Sequence, residues 1–224
     1  MIKLAVFDMD GTLTLERSSW EYVHRKLHLW NQKAERYQQL FLEGKINYYT
    51  FCQLDARDWA GLPVARVKEL IDGIPLRPGV RELLVTLKSH RVPVAIISTG
   101  LTMLAARINS GHQLDYFVAN DLETRNGLFT GRAIINVSTD EPGITKRDYL
   151  TRLMHQYVVK SEQVMTVGDS PGDIEMFEES SYAFLMTGDG ADSENNAGPG
   201  YPGHTREIKG LGELRRLVEA ILHR

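Results

Sequence analysis

Five short apolar runs punctuate this 224-residue chain, at 2–8, 92–98, 115–119, 163–168 and 182–186, and helical patterns fill most of the intervals. Nothing else in the sequence constrains the fold as tightly. Such runs are strand-length, and strands separated by helices pair in parallel, with helices packed on both faces. The predicted fold class is therefore α/β, a doubly wound parallel sheet. In sheets of this kind ligands bind beyond the carboxyl ends of the strands, so the residues that end each run are the first candidates for chemistry.

The first run ends in Phe7-Asp8-Met9-Asp10-Gly11-Thr12. Side chains alternate along a strand, so Asp8 and Asp10 point the same way. Two carboxylates at one strand tip repel each other and call for a cation or a shared proton. Gly11 lets backbone N–H groups approach an anion. The second run ends in Ser98-Thr99-Gly100, and the fourth in Gly168-Asp169-Ser170-Pro171-Gly172-Asp173. Lys146 opens a helical pattern carried by Tyr149, Leu150, Leu153 and Tyr157. Singly, each has a purely structural account: a hydroxyl as helix cap, a solvated lysine, an acid in a first helical turn.

Together and in this order, these segments resemble the haloacid dehalogenase superfamily of phosphatases. Asp8 and Asp10 stand at its first motif, Ser98 at its second, Lys146 at its third, and Gly168, Asp169 and Asp173 at its fourth. The resemblance covers nearly the whole chain. It is closest to the phosphoserine phosphatase branch, whose helical cap is similar to the stretch Glu43-Gly-Lys-Ile-Asn-Tyr48. It implies a Rossmann-like core with an inserted cap. It also implies Asp8 as a nucleophile that forms an aspartyl-phosphate, and Asp10 as general acid and base. Ser98, Lys146 and the backbone N–H groups of Thr99, Gly100 and Gly11 would bind phosphoryl oxygens. The implied cofactor is Mg²⁺, which suits hard oxygen ligands and a phosphate substrate. Asp8 and Asp169 would bind it by carboxylate and Asp10 by its backbone carbonyl. Asp173 would either bind through water or orient the other ligands.

The interval 14–74 contains no convincing strand. Trp20, Val23, Leu27 and Trp30 repeat at helical spacing, Ala34, Tyr37 and Phe41 follow a break near Asn31, and Pro63 opens a further helix. This predicts a helical cap at 14–74 inserted in a core of 1–13 and 75–224. Asn126-Gly127 predicts a hairpin turn within 120–138, and 187–204 reads as a long surface loop. His24 and His28 stand at i, i+4 but lack a third ligand, and read as surface or interface residues.

An insert directly after the nucleophile encloses a small substrate and excludes water. The expected partner is thus a small phosphomonoester, acting in the cytoplasm, with no nucleic acid and no membrane. A net charge of −3 argues against a nucleic-acid surface. The single Cys52 excludes an internal disulfide. No run reaches the ~20 apolar residues of a membrane span. Both monomer and homodimer stay open. Substrate identity stays open too. Where the branch places an acid soon after the first motif and a basic residue in the cap, a gap-free match gives Arg17 and Asp55, with both signs reversed. A shift of one residue or so gives Glu16 and Arg57 instead. Tyr48 is a further candidate for specificity. The alternatives are a phosphotransferase, a phosphatase of sugar or organic-acid phosphates, and, more remotely, a non-catalytic partner-binding protein.

Overall fold

A computed structural model describes residues 1–188 and 200–223. Among these, seven strands form one sheet: β1 (Leu4–Phe7), β2 (Val94–Leu101), β3 (Tyr116–Arg125), β4 (Leu128–Ile134), β5 (Val164–Gly168), β6 (Tyr182–Met186) and β7 (Arg206–Ile208). Their order is β4-β3-β2-β1-β5-β6-β7. Every pairing is parallel except β3 with β4. The five predicted strands are all present. β1 lies at the centre, between β2 and β5, and is buried along its length. Continuous apolar composition fits a strand covered on both faces.

The helices follow the apolar periodicities. α1 (Ser19–Lys26), α2 (Gln32–Leu42), α3 (Tyr48–Arg57) and α4 (Val64–Asp72) lie between β1 and α5 (Val80–Ser89). α6 (Thr102–His112), α7 (Lys146–Tyr157), α8 (Ile174–Glu178) and α9 (Leu211–Leu222) pack elsewhere on the sheet. The break near Asn31 is a helix start, where its side chain accepts the N–H groups of Lys33 and Ala34. α1 stops at Lys26, so Trp30 lies in the α1–α2 connection rather than on a continuing helix.

The hairpin turn falls at Asn126-Gly127, both at positive φ (51° and 77°), as a tight two-residue turn requires. It touches the helical insert: Phe129 exchanges main-chain bonds with Gly61 (2.9 Å) and Leu62 (3.0 Å), and Gly127 O accepts from Val64 N. The insert also shares one continuous apolar cluster with the sheet, through Trp20, Val23, Tyr48 and Trp59 on one side and Phe7, Leu101 and Phe129 on the other.

Two expectations need correction. His24 is not a surface residue. It is fully buried and receives the Trp59 indole N–H on Nε2 at 3.2 Å, and burial lowers its pKa. His28 lies beyond the end of α1 at φ 56°, so the two do not share a helix face. Of the loop expected at 187–204, residues 189–199 lie outside the described residues. The end of that stretch is held, with His204 Nε2 within 2.7 Å of Ser180 O. No helix among the described residues is long and apolar enough to cross a membrane.

Candidate active site

The central strands deliver the predicted residues to one rim. Asp8 directly follows β1 and continues its ladder, with its N–H bonded to Val167 O at 2.9 Å. Asp169 directly follows β5, and Ser98 stands in β2 just after Ile97, where the pairing with β3 shifts register. Lys146 is the first residue of α7. Its position is fixed by a capping box in which the Thr145 side chain accepts the Asp148 N–H and the Asp148 carboxylate accepts the Thr145 N–H.

Lys146 Nζ sits 2.9 Å from Asp8 Oδ1 and 2.6 Å from Asp173 Oδ1, with all three groups buried. Oxygens of Asp8, Asp169 and Asp173 lie within 4.8 Å of one another. Three carboxylates against one ammonium leave an excess of buried negative charge. Burial raises the Asp8 pKa, although Lys146 pulls it back. Asp169 is driven well above the usual carboxylate range by burial, then by Asp8 and Asp173. Burial opposes the charge on Lys146, yet Asp173 and Asp8 together hold it above its ordinary pKa. An all-oxygen set with surplus negative charge fits a hard divalent cation.

Asp173 has little left to offer directly. Oδ1 takes Lys146, while Oδ2 accepts the N–H groups of Asp169 (3.0 Å) and Ser170 (3.1 Å). Asp10 lies outside the carboxylate trio. Its Oδ2 accepts the Ser19 N–H at 2.9 Å and the Ser19 hydroxyl at 2.7 Å, while buried Oδ1 has no hydrogen-bond partner among the described residues. Burial pushes the Asp10 carboxyl up to about 7 against those two bonds.

Two backbone donors expected for phosphate are used elsewhere. The Gly11 N–H is bonded to Glu16 O at 2.7 Å. Gly11 is needed instead for its shape: at φ +74°, a Cβ would lie 2.2 Å from Asp169 Oδ2. The Gly100 N–H donates to Ser98 Oγ at 3.1 Å, leaving the hydroxyl proton for another acceptor. A Cβ on Gly100 would lie 2.4 Å from Asp10 Oδ2, so this glycine makes room for that acid.

A cavity of about 300 Å³ runs between these strand tips and the helical insert. Arg17 and Asp55, the pair given by the gap-free match, are on its wall, and so is Tyr48. The shifted pair is not on that wall: Arg57 is exposed, and Glu16 lines an adjoining surface depression that shares Arg17 and Ser18 with the cavity. Glu16 serves the site through its main chain, whose carbonyl accepts from Gly11 N and from Thr14 Oγ1 at 2.8 Å. Arg17 Nε lies 3.9 Å from Asp169 Oδ2.

Residues 5–178 match the haloacid dehalogenase-like hydrolase family. The chain belongs to that family. A phosphoserine phosphatase of Campylobacter jejuni is 31% identical to this hydrolase over 188 residues, covering 80% of the chain and 84% of the relative. Another, of Mycobacterium tuberculosis, is 28% identical over 176 residues. That match takes in 78% of the hydrolase but 41% of the relative, so the chain spans less than half of that relative's length. Among solved structures, a phospho-aspartyl intermediate analogue of phosphoserine phosphatase shares the fold. Its TM-score is 0.76 at 23% identity, with 96% and 98% of the two chains covered.

Several residues of the hydrolase's site gave no signal in the sequence. Ser19 bridges Asp10 and the Leu101 N–H. Buried Arg77 donates to Gly11 O at 2.7 Å. Asn120 donates to Tyr48 OH, Thr99 O and Val137 O and accepts from Asn136 N and Val137 N, tying insert, sheet and hairpin exit together. Their partners are distant in sequence, and no local spacing marks them.

Proposed function

We propose that the chain is a phosphomonoesterase that works through an aspartyl-phosphate on Asp8, with residues 14–74 acting as a cap over a core of 1–13 and 75–224. One observation carries this reading. Asp8 is held against Lys146 within a buried carboxylate cluster, on a small cavity closed by the helical insert. The carboxylate set fits Mg²⁺, which Asp8, Asp169 and the Asp10 backbone carbonyl would hold, while Asp173 orients Lys146 and the β5–α8 turn. When bound, the ion neutralises charge on the phosphoryl oxygens.

The residues of the chain do the rest. Asp8 attacks phosphorus as the ester P–O bond breaks, and the Lys146 ammonium and Ser98 hydroxyl stabilise the equatorial oxygens. Asp10, with its pKa near 7, gives its proton to the leaving alkoxide. It then takes a proton from the water that attacks the aspartyl-phosphate, releasing inorganic phosphate and restoring Asp8. Ser19 keeps Asp10 oriented through both steps by holding one oxygen.

Phosphate release from a chromogenic aryl phosphate tests the reading. EDTA and Asp8→Asn should each abolish turnover, with Mg²⁺ restoring the first and not the second. Full activity in either case refutes it.

A further inference from the structure

Between Ile97 and Leu101 the pairing of β2 with β3 slips, so that Ser98, Thr99 and Gly100 stand against Ala119 alone. A bulge of this kind takes backbone groups out of the ladder and obliges them to find other partners. The Thr99 carbonyl accepts from three separate elements. Nε1 of Trp20 in α1 donates to it at 3.3 Å, the Tyr48 hydroxyl of α3 at 3.1 Å and Nδ2 of Asn120 in β3 at 3.1 Å. We propose that Trp20, Tyr48 and Asn120 are positioning residues for phosphate, whose hydrogen bonds act through the Thr99–Gly100 peptide on the Ser98 hydroxyl and strengthen its grip on a phosphoryl oxygen. The inference rests on the phosphomonoesterase reading above, and it gives these residues no contact with the reacting atoms.

Each link is fixed in direction. Asn120 Oδ1 accepts the N–H groups of Asn136 and Val137, both at 2.8 Å, so the amide can present only Nδ2 to Thr99. Nδ2 also donates to the Tyr48 oxygen at 2.8 Å, which leaves the phenol to direct its own proton at Thr99 O. Burial holds that phenol well above its usual pKa, so the proton stays on it. In a trans peptide the C=O and N–H point to opposite sides. A Thr99 carbonyl held toward the insert therefore turns the Gly100 N–H the other way, where it donates to Ser98 Oγ at 3.1 Å. Ser98 Oγ is thus engaged as an acceptor, and its proton points elsewhere. Ser98 lines the cavity, as Asp8 does.

The bulge could be satisfied with less. A carbonyl oxygen has two lone pairs, and a buried one is commonly content with a single donor. Hydrogen bonds in a chain polarise one another, so a peptide whose oxygen takes several donors is itself a stronger N–H donor. The same effect passes on to the Ser98 O–H. Ser19, beside Trp20 in α1, accepts the Leu101 N–H at 3.1 Å, so the same helix turn also braces the far end of the bulge. Asn120 is fully buried, so its part in the site is indirect. Two of the three donors belong to the insert, so the grip on phosphate is complete only with the insert seated on the sheet.

Inorganic phosphate tests the proposal, because it carries no alcohol for the cavity-lining rings of Trp20 and Tyr48 to touch. Its affinity for the Mg²⁺-loaded protein is read by phosphorus NMR titration in a double-mutant cycle. Tyr48→Phe and, separately, Trp20→Phe each remove one donor and should weaken phosphate by about three- to tenfold. In the Ser98→Ala background the chain of bonds has no hydroxyl to act through, and the same substitutions should change the affinity by less than about twofold. Where phosphate binds Ser98→Ala too weakly to titrate, kcat/KM for an aryl phosphate supplies the same cycle. Equal losses in the two backgrounds, or no loss with Ser98 present, overturn the inference. A wild type that shows this coupling in phosphate binding yet releases none from an aryl ester would instead sink the phosphatase reading and leave the relay standing.

Discussion

Buried Asp55, whose Oδ1 has no hydrogen-bond partner among the described residues, makes a prediction about the free protein that needs no substrate. A carboxyl whose pKa is 3.8 in the unfolded chain and about 7 when folded binds its proton more tightly in the native state. Between those values the folded protein carries more protons, so stability falls as pH rises. The favourable contribution is complete below pH 3.8 and is lost as pH passes through 7. With these two values, linkage gives a loss of about 2–3 kcal/mol between pH 5 and pH 8. Asp55→Asn fills the same space without the ionisation, so its stability should lack this component. Asp10 titrates in the same range, but it does so in both proteins and cancels in their difference. Urea unfolding of the metal-free proteins at pH 5 and pH 8 measures the effect. The variant should gain about 2–3 kcal/mol on the wild type between the two pH values, and the m-values should match. Parallel pH profiles would show that the Asp55 carboxylate is partnered or hydrated in solution, which refutes a buried acid without a partner.

The Lys146 ammonium is the sole cation in hydrogen-bond reach of Asp8 and Asp173 among the described residues. Lys146→Met should destabilise the fold by about 3–5 kcal/mol and lower kcat by about 10²–10³-fold; a variant as stable and as active as wild type would remove the lysine from both roles. Gly11→Ala places a methyl 2.2 Å from Asp169 Oδ2 on a residue at φ +74°. It should weaken Mg²⁺ binding, read by calorimetry, by about tenfold or more for a backbone cost of roughly 1–2 kcal/mol; unchanged affinity would show that Asp169 is not constrained by this approach.

The parts of the site that could be read from the sequence share a physical property. Asp8, Ser98 and Asp169 stand at the ends of apolar runs, and Lys146 stands at the start of an amphipathic helix. Strand ends and helix starts are set by local composition, so periodicity alone brings these residues to one rim. The family resemblance implies that the Gly11 and Gly100 N–H groups are loop donors to an anion. Tertiary structure overrides that: Glu16 O and Ser98 Oγ take the two N–H groups, and steric room for Asp169 and Asp10 is what requires glycine. Ser19, Arg77 and Asn120 act across tens of residues of chain, on partners that no spacing rule pairs with them. The insert is intermediate. Its helices were legible, because their apolar faces repeat at 3.6. Which shifted pair met the cavity was not, since Glu16 and Arg17, or Asp55 and Arg57, differ by only one or two positions and both options are polar. Rotation about the helix axis decides it: two residues along α3 is about 200° of turn. With Asp55 on the buried wall, Arg57 must fall near the opposite face, where it is exposed. Asp55 and Arg57 therefore cannot share the cavity, and the choice between them fixes the sign of the charge that α3 turns to it. The residues at the strand tips are thus written in the sheet, where local rules suffice. Which side chains α3 turns to the cavity depends on the azimuth of one helix, which only the folded packing of the insert sets.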